Sequence, residues 1–401
     1  MKFIGLSMVK NEADVIEAFV RHNLTYLDHL DILDNDSTDG TREILEALSK
    51  EGLPITIHDD KVFGYFQAEK ITALFHDVIP LRQPDYVICL DADEFLVVEG
   101  DVEGLLSCIA KDTVGRIPWI TYVPEPNSNQ RITDPLRQIT HRRVKEQPSY
   151  FKCIISTACV DCSDIVISQG YDRISKGGVN IPYVRVFDMA LGHFPLRSLE
   201  QLTSKAVNGW LAYVDKNRIR TGPQEGYQWK DLYDRIVYGD GIRAEDITAH
   251  CLNYATDPKA TWVWPENVVN MPLPPRYEEL RYSGLCRTNA MGNVARSFEG
   301  WIKANGKSAQ SNALSDTQFL VFEIGSECNL AECHVKCPAK QRNRNGKPID
   351  DALISMFVEA AYHRFGFNGL IGWHFYNEPM LQIDRILGLM ERIRGVVPES
   401  R

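Results

Sequence analysis

The 401-residue chain lacks several features that would place it quickly. No apolar run approaches the ~20 residues that cross a bilayer, so a spanning helix is excluded and membrane contact would be peripheral. Positive charge is in deficit, with 44 Lys and Arg against 54 Asp and Glu and a formal net charge of −10. That balance argues against a nucleic-acid footprint over the whole chain. Ten cysteines are too sparse for a disulfide scaffold, and 27 Gly with 20 Pro are too few for collagenous or low-complexity architecture. There is no fixed-period repeat. No basic and apolar leader is seen either, since Met1-Lys2 runs straight into the strand-like Phe3 to Val9; the expectation is a cytoplasmic protein.

What is present is globular. With 44% hydrophobic and 24% charged residues, the chain can bury a core, and its length predicts two or three domains. The first hundred residues alternate short apolar runs with helical patterns, the signature of βαβ units and a mostly parallel sheet. Strands are expected at residues 2–9, His29 to Leu33, Ile55 to His58 and Tyr86 to Leu90, and Val15, Phe19 and Leu27 lie at helical spacing between them. Asn11 and Asp36 to Thr38 are placed to cap the following helices.

Beyond residue 115 the pattern turns β-rich (Ile117 to Val123, Tyr150 to Cys159, Tyr183 to Phe187), then helical from Ser198 to Val214. Three parts are expected: a first domain over 1–221, a connecting or capping segment over 222–316 that is rich in Pro, Gly and aromatics, and a βαβα block over 317–401. Residues 305–316 resemble a linker. The last block reads as strand (Phe319 to Ile324), cysteine-containing loop, helix (Asp350 to Phe365), strand (Gly369 to Phe375) and helix (Ile383 to Arg394), the last with Ile383, Ile386, Leu387, Met390 and Ile393 at helical spacing.

Three acids, Asp91, Asp93 and Glu94, directly follow the fourth strand. In open α/β sheets ligands bind beyond the carboxyl ends of strands, so these acids stand at a site position. The alternation of Asp91 and Asp93 puts two carboxylates on one face of an extended chain, and two hard oxygen donors suit Mg²⁺ or Mn²⁺, which bridge the phosphates of nucleotides. The alternative is a solvated acidic turn. Polar clusters after the first strand (Val9-Lys10-Asn11-Glu12) and after the second (Asp34 to Thr41) fall at the same edge of the same sheet.

Met8-Val9-Lys10-Asn11-Glu12, Asp34-Asn35-Asp36-Ser37-Thr38-Asp39-Gly40-Thr41 and Leu90-Asp91-Ala92-Asp93-Glu94-Phe95 resemble the three leading motifs of family 2-like nucleotide-sugar glycosyltransferases of the GT-A fold. The later His193-Phe194-Pro195-Leu196-Arg197-Ser198, with Lys205 beyond it, resembles a fourth, and the likeness covers roughly residues 1–215. It implies a Rossmann-like mixed α/β sheet flanked by helices and an inverting, metal-dependent transfer from a nucleoside diphosphate sugar, a UDP-sugar above all. By that resemblance Lys10, Asn11, Glu12, Asp34, Asp36 and Asp91 contact the nucleotide, while Asp91, Asp93 and His193 hold Mn²⁺ or Mg²⁺. Arg197 and Lys205 would neutralise the leaving diphosphate; with Asp93 and His193 they form the expected catalytic set. The alternatives are a hydrogen-bonded structural histidine for His193 and solvated helix residues for Arg197 and Lys205. For the base that deprotonates the acceptor, Glu125 and Asp188 are candidates by region only. The acceptor itself, whether glycan, lipid-linked or peptide, is open.

Cys328, Cys333 and Cys337 crowd into ten residues after the strand at 319. Three thiolates on one loop suit a [4Fe–4S] cluster with one open iron, or zinc with His334 as fourth ligand. The segment resembles the start of a radical S-adenosylmethionine enzyme, which implies that Glu378, in Tyr376-Asn377-Glu378-Pro379, would hold the amino group of that cofactor. It departs from the family in its cysteine spacing, four and then three intervening residues in place of three and two, and in containing two βα units of a partial (β/α) barrel that needs about six. A fragment of a longer fusion is one reading of that shortfall, and a remnant packed on the transferase domain is the other. Cys159, Cys162 and Cys251 are expected to be structural. Three functions thus compete: a metal-dependent glycosyltransferase, an iron–sulfur radical enzyme whose leading domain serves it, and a non-catalytic sugar-nucleotide module.

Overall fold

The computed structural model describes residues 1–62, 64–126, 133–219, 227–238, 242–244, 246–256, 261–287, 319–322, 351–365, 367, 370–373 and 383–398. These fall into two compact units, Met1–Lys205 with Arg243–Asn289, and Ala206–Ile242 with Ala290–Arg401.

In the first unit the chain runs β1 (Phe3–Val9), α1 (Ile16–Asn23), β2 (His29–Asp34), α2 (Thr41–Lys50), β3 (Ile55–Asp59), α3 (Gln67–Arg82) and β4 (Tyr86–Cys89). The four strands pair in parallel in the order β3–β2–β1–β4. Pleating sends alternate side chains to opposite faces. Phe3, Leu30, Ile32 and Ile88 pack with Ile16, Phe19, Ile44, Leu45 and Leu48 of α1 and α2. Ile4, Leu6, Val87 and Cys89 pack with Ile71, Leu74, Phe75 and Val78 of α3 on the other face. Each such fully buried aliphatic or aromatic side chain contributes about 1.5–3 kcal/mol. At Gly5 a Cβ would stand 2.6 Å from the tip of Leu30 on β2 and 2.8 Å from that of Leu27 after α1, so both leucine side chains would have to shift to admit one.

The sheet then becomes mixed. After β5 (Glu94–Val98) and the short α4 (Val102–Leu106) come β6 (Val114–Val123), α5 (Pro135–Gln138), β7 (His141–Arg143) and β8 (Phe151–Ser156). β8 lies antiparallel between β4 and β6. Pro118 donates no ladder hydrogen bond, and at Pro118 the long β6 leaves β8; its second half pairs with β7 and with β13 (Met189–His193). Between them β9 (Ile165–Ile167), β10 (Ile174–Lys176) and β11 (Val179–Asn180) form a separate small sheet, and β12 (Tyr183–Arg185) joins β6 in parallel. β5 pairs only with β13, in a register that sets His193 opposite Glu94. The outer edge of β5 is satisfied by α1: Asn23 donates to Glu94 O and accepts from Leu96 N, and the His22 ring meets Leu96 O. α6 (Leu199–Ile219) follows β13; later, α8 (Asp246–Leu252) packs on β6 and β14 (Val268–Asn270) adds to β7.

The second unit holds the rest of α6, α7 (Tyr227–Tyr238), and a parallel pair of β15 (Phe319–Phe322) and β16 (Leu370–Trp373) with α9 (Asp351–Phe365) and α10 (Ile383–Val396). Its helix pair closes on Ile354, Val358, Ile386, Leu389 and Ile393.

The α/β class, the mixed sheet and its flanking helices are as the sequence predicts. Two local expectations fail. Neither Asn11 nor Asp36 to Thr38 caps a helix: the N-caps are Val15 and Gly40, without side-chain caps. Asp39 instead accepts from Ala13 N and from Thr41 N and Oγ1. In α10 the buried stripe is Ile386, Leu389 and Ile393, while Ile383 and Leu387 are exposed. The 305–316 linker lies outside the described residues.

Candidate active site

The carboxyl ends of β1, β2 and β4 bring the expected loops together. Asn11, in left-handed backbone geometry at φ 56°, donates its N–H to Ser37 Oγ, and its side chain accepts from Thr38 N at 2.8 Å. Glu12 N donates to Thr41 Oγ1. The two polar loops therefore hold one another by hydrogen bonds that each use a backbone group, the Asp39 bond to Ala13 N among them. Lys10 Nζ donates to Asn35 O at 2.7 Å, and burial pushes its ammonium down to about 8, with Asp36, Asp34 and Asp60 opposing. Asn35 reaches Asp60 and Val62 O, both at 2.7 Å, and Asp60 pairs with Lys70. Asp34 is buried, which raises its carboxyl; it accepts from Ser37 N. Asp36 is exposed beside it, with φ 53°.

The β4–β5 junction is built differently, from buried charges. Asp91 receives Gln67 Nε2 on one oxygen at 2.9 Å and Lys152 Nζ on the other at 2.6 Å. Lys152, from β8, is wholly buried and also reaches Glu94 Oε1 at 3.1 Å, with the Tyr171 ring 4.4 Å away. Burial opposes its charge, yet Asp91 and Glu94 hold it protonated above the usual lysine range. Burial in turn raises the Glu94 carboxyl, to about 8.

Asp93 is buried against Lys205 Nζ at 2.8 Å, Arg197 Nη1 at 3.7 Å and His193 Nε2 at 3.7 Å. Burial disfavours its charge, but Lys205, His193 and Arg197 hold the carboxyl well below the ordinary range. The Arg197 guanidinium is fully buried; it spans Asp14 (2.7 and 2.9 Å), Glu12 (2.5 Å) and Phe194 O (2.9 Å). Burial pushes Glu12 up to about 7 against the pull of Arg197. The His193 ring stacks on Trp119 at 4.2 Å and meets Tyr254 edge-on at 5.7 Å. Burial lowers it to about 3, so the imidazole is neutral, and its buried Nδ1 has no hydrogen-bond partner among the described residues.

Thus Asp93, His193, Arg197 and Lys205 converge, as do Lys10, Asn11, Asp34 and Asp36. Glu12 joins the first group through Arg197, and Asp91 is tied to Gln67 and Lys152. Among the described residues no three His, Cys, Asp or Glu side chains are grouped to hold a metal ion. The donor chemistry fits a divalent cation in part: the Asp93 carboxylate stands beside Nε2 of a neutral imidazole, while the unpartnered nitrogen is Nδ1 on the other side of the ring. The candidate bases stand apart. Glu125 pairs with His141, and Asp188 is exposed at the opposite end of β13 from His193. Cys159 and Cys251 donate to Ile109 O and Tyr122 O, in keeping with structural roles. Cys328, Cys333, Cys337 and Glu378 lie outside the described residues.

Sequence reasoning missed Lys152, Gln67 and the Asp14 half of the Arg197 clasp. A lysine inside the apolar Phe151-Lys152-Cys153-Ile154-Ile155 was the one available signal, because a charge within a buried strand needs a partner.

No helix among the described residues is long and apolar enough to cross a membrane. No curated protein matches the sequence. Among solved structures, similarity is found to the mannosyltransferase PcManGT from Pyrobaculum calidifontis in complex with GDP-Man and Mn²⁺, at 14% identity over 56% of this chain and 66% of that one, TM-score 0.31. Glucosyl-3-phosphoglycerate synthase from Mycobacterium tuberculosis, in complex with Mn²⁺, UDP and glucosyl-3-phosphoglycerate, is similar at 17% identity over 23% of this chain and 34% of that one, TM-score 0.19. HddC from Yersinia pseudotuberculosis is similar at 8% identity over 49% and 95%, TM-score 0.27. The chain covers less than two thirds of the length of the first two. Residues 8–163, which hold the three loops and Lys152, match the family model Glycosyl transferase family 2. The match to the glycosyl transferase family 2 model thus falls within the first unit, over the parallel strands and the start of its mixed sheet.

Proposed function

We propose that the chain transfers a sugar, with inversion, from a nucleoside diphosphate sugar, a UDP-sugar, to an acceptor that is a glycan, a lipid-linked sugar or a peptide. The observation that carries this reading is the convergence of Lys205, Arg197 and neutral His193 on Asp93, at the same sheet edge as the polar loops of Lys10, Asp34, Asn35 and Asp36. Cleavage at the anomeric carbon builds charge on the departing diphosphate, and preorganised cations lower its cost.

In this reading Lys10 and the 34–36 loop take the nucleoside end. Lys205, partly exposed while Arg197 is enclosed, offers its ammonium to the diphosphate. Arg197 keeps Glu12, Asp14 and Asp93 in place beneath it. Asp93 and His193, with Asp91, would hold Mn²⁺ or Mg²⁺. Such an ion supplies Lewis-acid stabilisation of the leaving group.

A second reading, an iron–sulfur radical S-adenosylmethionine enzyme fused to the transferase domain, draws on the parallel β15–β16 pair with α9 and α10. Anaerobic iron and sulfide analysis tests it.

The decisive experiment is nucleoside diphosphate release from UDP-, GDP- and dTDP-sugars with Mn²⁺ or EDTA, on wild type and Asp93→Ala. EDTA-sensitive release from one donor that the variant lacks supports the proposal. Absence of release, together with no donor-induced rise in melting temperature, removes it.

A further inference from the structure

Residues 276–287 lie outside the segment that matches the family model, yet they run along α1 and end on the donor loop. Glu17 on α1 is buried, and its carboxylate accepts two successive backbone N–H groups, Arg281 at 2.9 Å and Tyr282 at 2.8 Å, across more than 260 positions of sequence. An ionised acceptor for paired amides is among the stronger hydrogen-bond arrangements. Upstream, Arg276 N meets His22 Nδ1, and the Tyr277 hydroxyl donates to Asp134 at 2.7 Å. Tyr282 extends its hydroxyl to Glu51 at the end of α2.

Downstream, the strap reaches the loop that carries Asp34 and Asp36. Arg287 N donates to Asp39 O at 2.7 Å, its guanidinium reaches Thr38 O and pairs with Glu43, and the Leu285 carbonyl lies on Gly40. Gly40 has φ 109°, and a Cβ there would fall 2.1 Å from Leu285 O, so the contact admits no side chain. Asp39 passes the constraint inward, because its side chain accepts from Ala13 N and from Thr41. Thr38 and Ser37 in turn hold Asn11.

We infer that residues 276–287 form a positioning strap which, anchored at Glu17 and latched by the Arg287 guanidinium at Thr38 O and Glu43 beside its main-chain bond to Asp39 O, sets the shape of the donor loop. Glu17 and Arg287 are positioning residues for nucleotide-sugar binding. The inference rests on the proposed donor site and deepens it: the loop is preorganised from behind by a segment distant in sequence. A loop already in its binding shape saves ordering cost when the donor arrives. Loss of the strap should therefore raise donor KM and spare kcat, the pattern of a binding defect.

The test uses the full chain with Arg287→Ala, at an exposed position, and with Glu17→Ala and Glu17→Gln. Two readouts are taken, donor KM against kcat, and hydrogen exchange at the amides of Thr38 and Thr41. The inference expects Arg287→Ala and Glu17→Ala to raise donor KM by about 3- to 10-fold, to speed exchange at residues 37–41 selectively, and to leave kcat unchanged. Glu17→Gln, which keeps one acceptor oxygen, should recover part of the loss. Unchanged KM and unchanged exchange in both alanine variants overturns it, as does exchange that quickens uniformly over the unit. If wild type turns over no donor, the donor reading fails, and exchange at 37–41 still decides whether the strap constrains the loop.

Discussion

The two halves of the site edge are assembled by different physics. At β1–β2 the loops hold each other through hydrogen bonds that each use a backbone group, Asn11 to Ser37 and Thr38, Glu12 N to Thr41, Ala13 N to Asp39 and Lys10 to Asn35 O, with Asp36 open to solvent. At β4–β5 the same edge is a set of enclosed charges, with Lys152 between Asp91 and Glu94, and Asp93 between Lys205, His193 and Arg197. Bonds to backbone groups shape a loop pair at small cost and tolerate exchange with water. Enclosed charges cost desolvation and are stable only as a complete set. The first half is suited to admitting a ligand, and the second to keeping a field in place.

The sharpest way to break this contrast is to remove one member of the charged set. Lys152→Met leaves Asp91 and Glu94 without their cation, and should lower unfolding stability by about 3 kcal/mol, read from the urea midpoint. Asn11→Ala on the other half should cost about 1 kcal/mol. Equal losses would erase the distinction.

Acid probes the same question at His22. Its ring is buried and pushed down to about 4, and it serves Leu96 O and Arg276 N as a neutral group. The folded value lies below the unfolded one of about 6.5, so its contribution is complete above pH 6.5 and is lost as pH falls toward 4. Stability should decline over that window by at most about 1.4 kcal/mol per unit, and His22→Gln should flatten the profile.

A smaller effect is expected at Lys10, whose ammonium loses its proton near 8. Donor KM should rise several-fold as pH climbs through that value, and Lys10→Arg, which stays protonated, should remove the rise. The smallest effect is the triple change of Cys328, Cys333 and Cys337 to Ala, which should leave donor turnover unchanged. Loss of turnover there would tie the second unit to the transferase chemistry.

The contrast also explains what the sequence made legible. Loops whose contacts are local in pattern, Lys10 to Glu12 and Asp34 to Thr41, announce themselves as polar runs after apolar strands. So do the parallel strands, through their continuous apolar character. The partners of the acids arrive from far along the chain: Lys152 lies 61 positions from Asp91, Lys205 lies 112 from Asp93, and Arg197 lies 185 from Glu12. Nothing local reports such pairings. Resemblance to a family suggested His193, Arg197 and Lys205 but not their geometry. The capping error has a related cause, since Asn11 spends its side chain on the neighbouring loop rather than on its own helix.

The β5–β13 pairing, with His193 opposite Glu94, has a consequence for how this architecture can vary in length. Because successive residues of a strand point to opposite sides, one residue inserted within β13 would turn the imidazole away from Asp93, and a single deletion would do the same. Two inserted residues would restore the side but displace the ring by a full pleat. The loops between strands in the stretch from 99 to 188 carry no such parity, whereas β6 and β8 within it do, because they place Trp119 on His193 and Lys152 on Asp91. Lineages sharing the design should therefore differ in size within those loops, and keep the count from Asp93 to Val98 and from Met189 to His193 fixed.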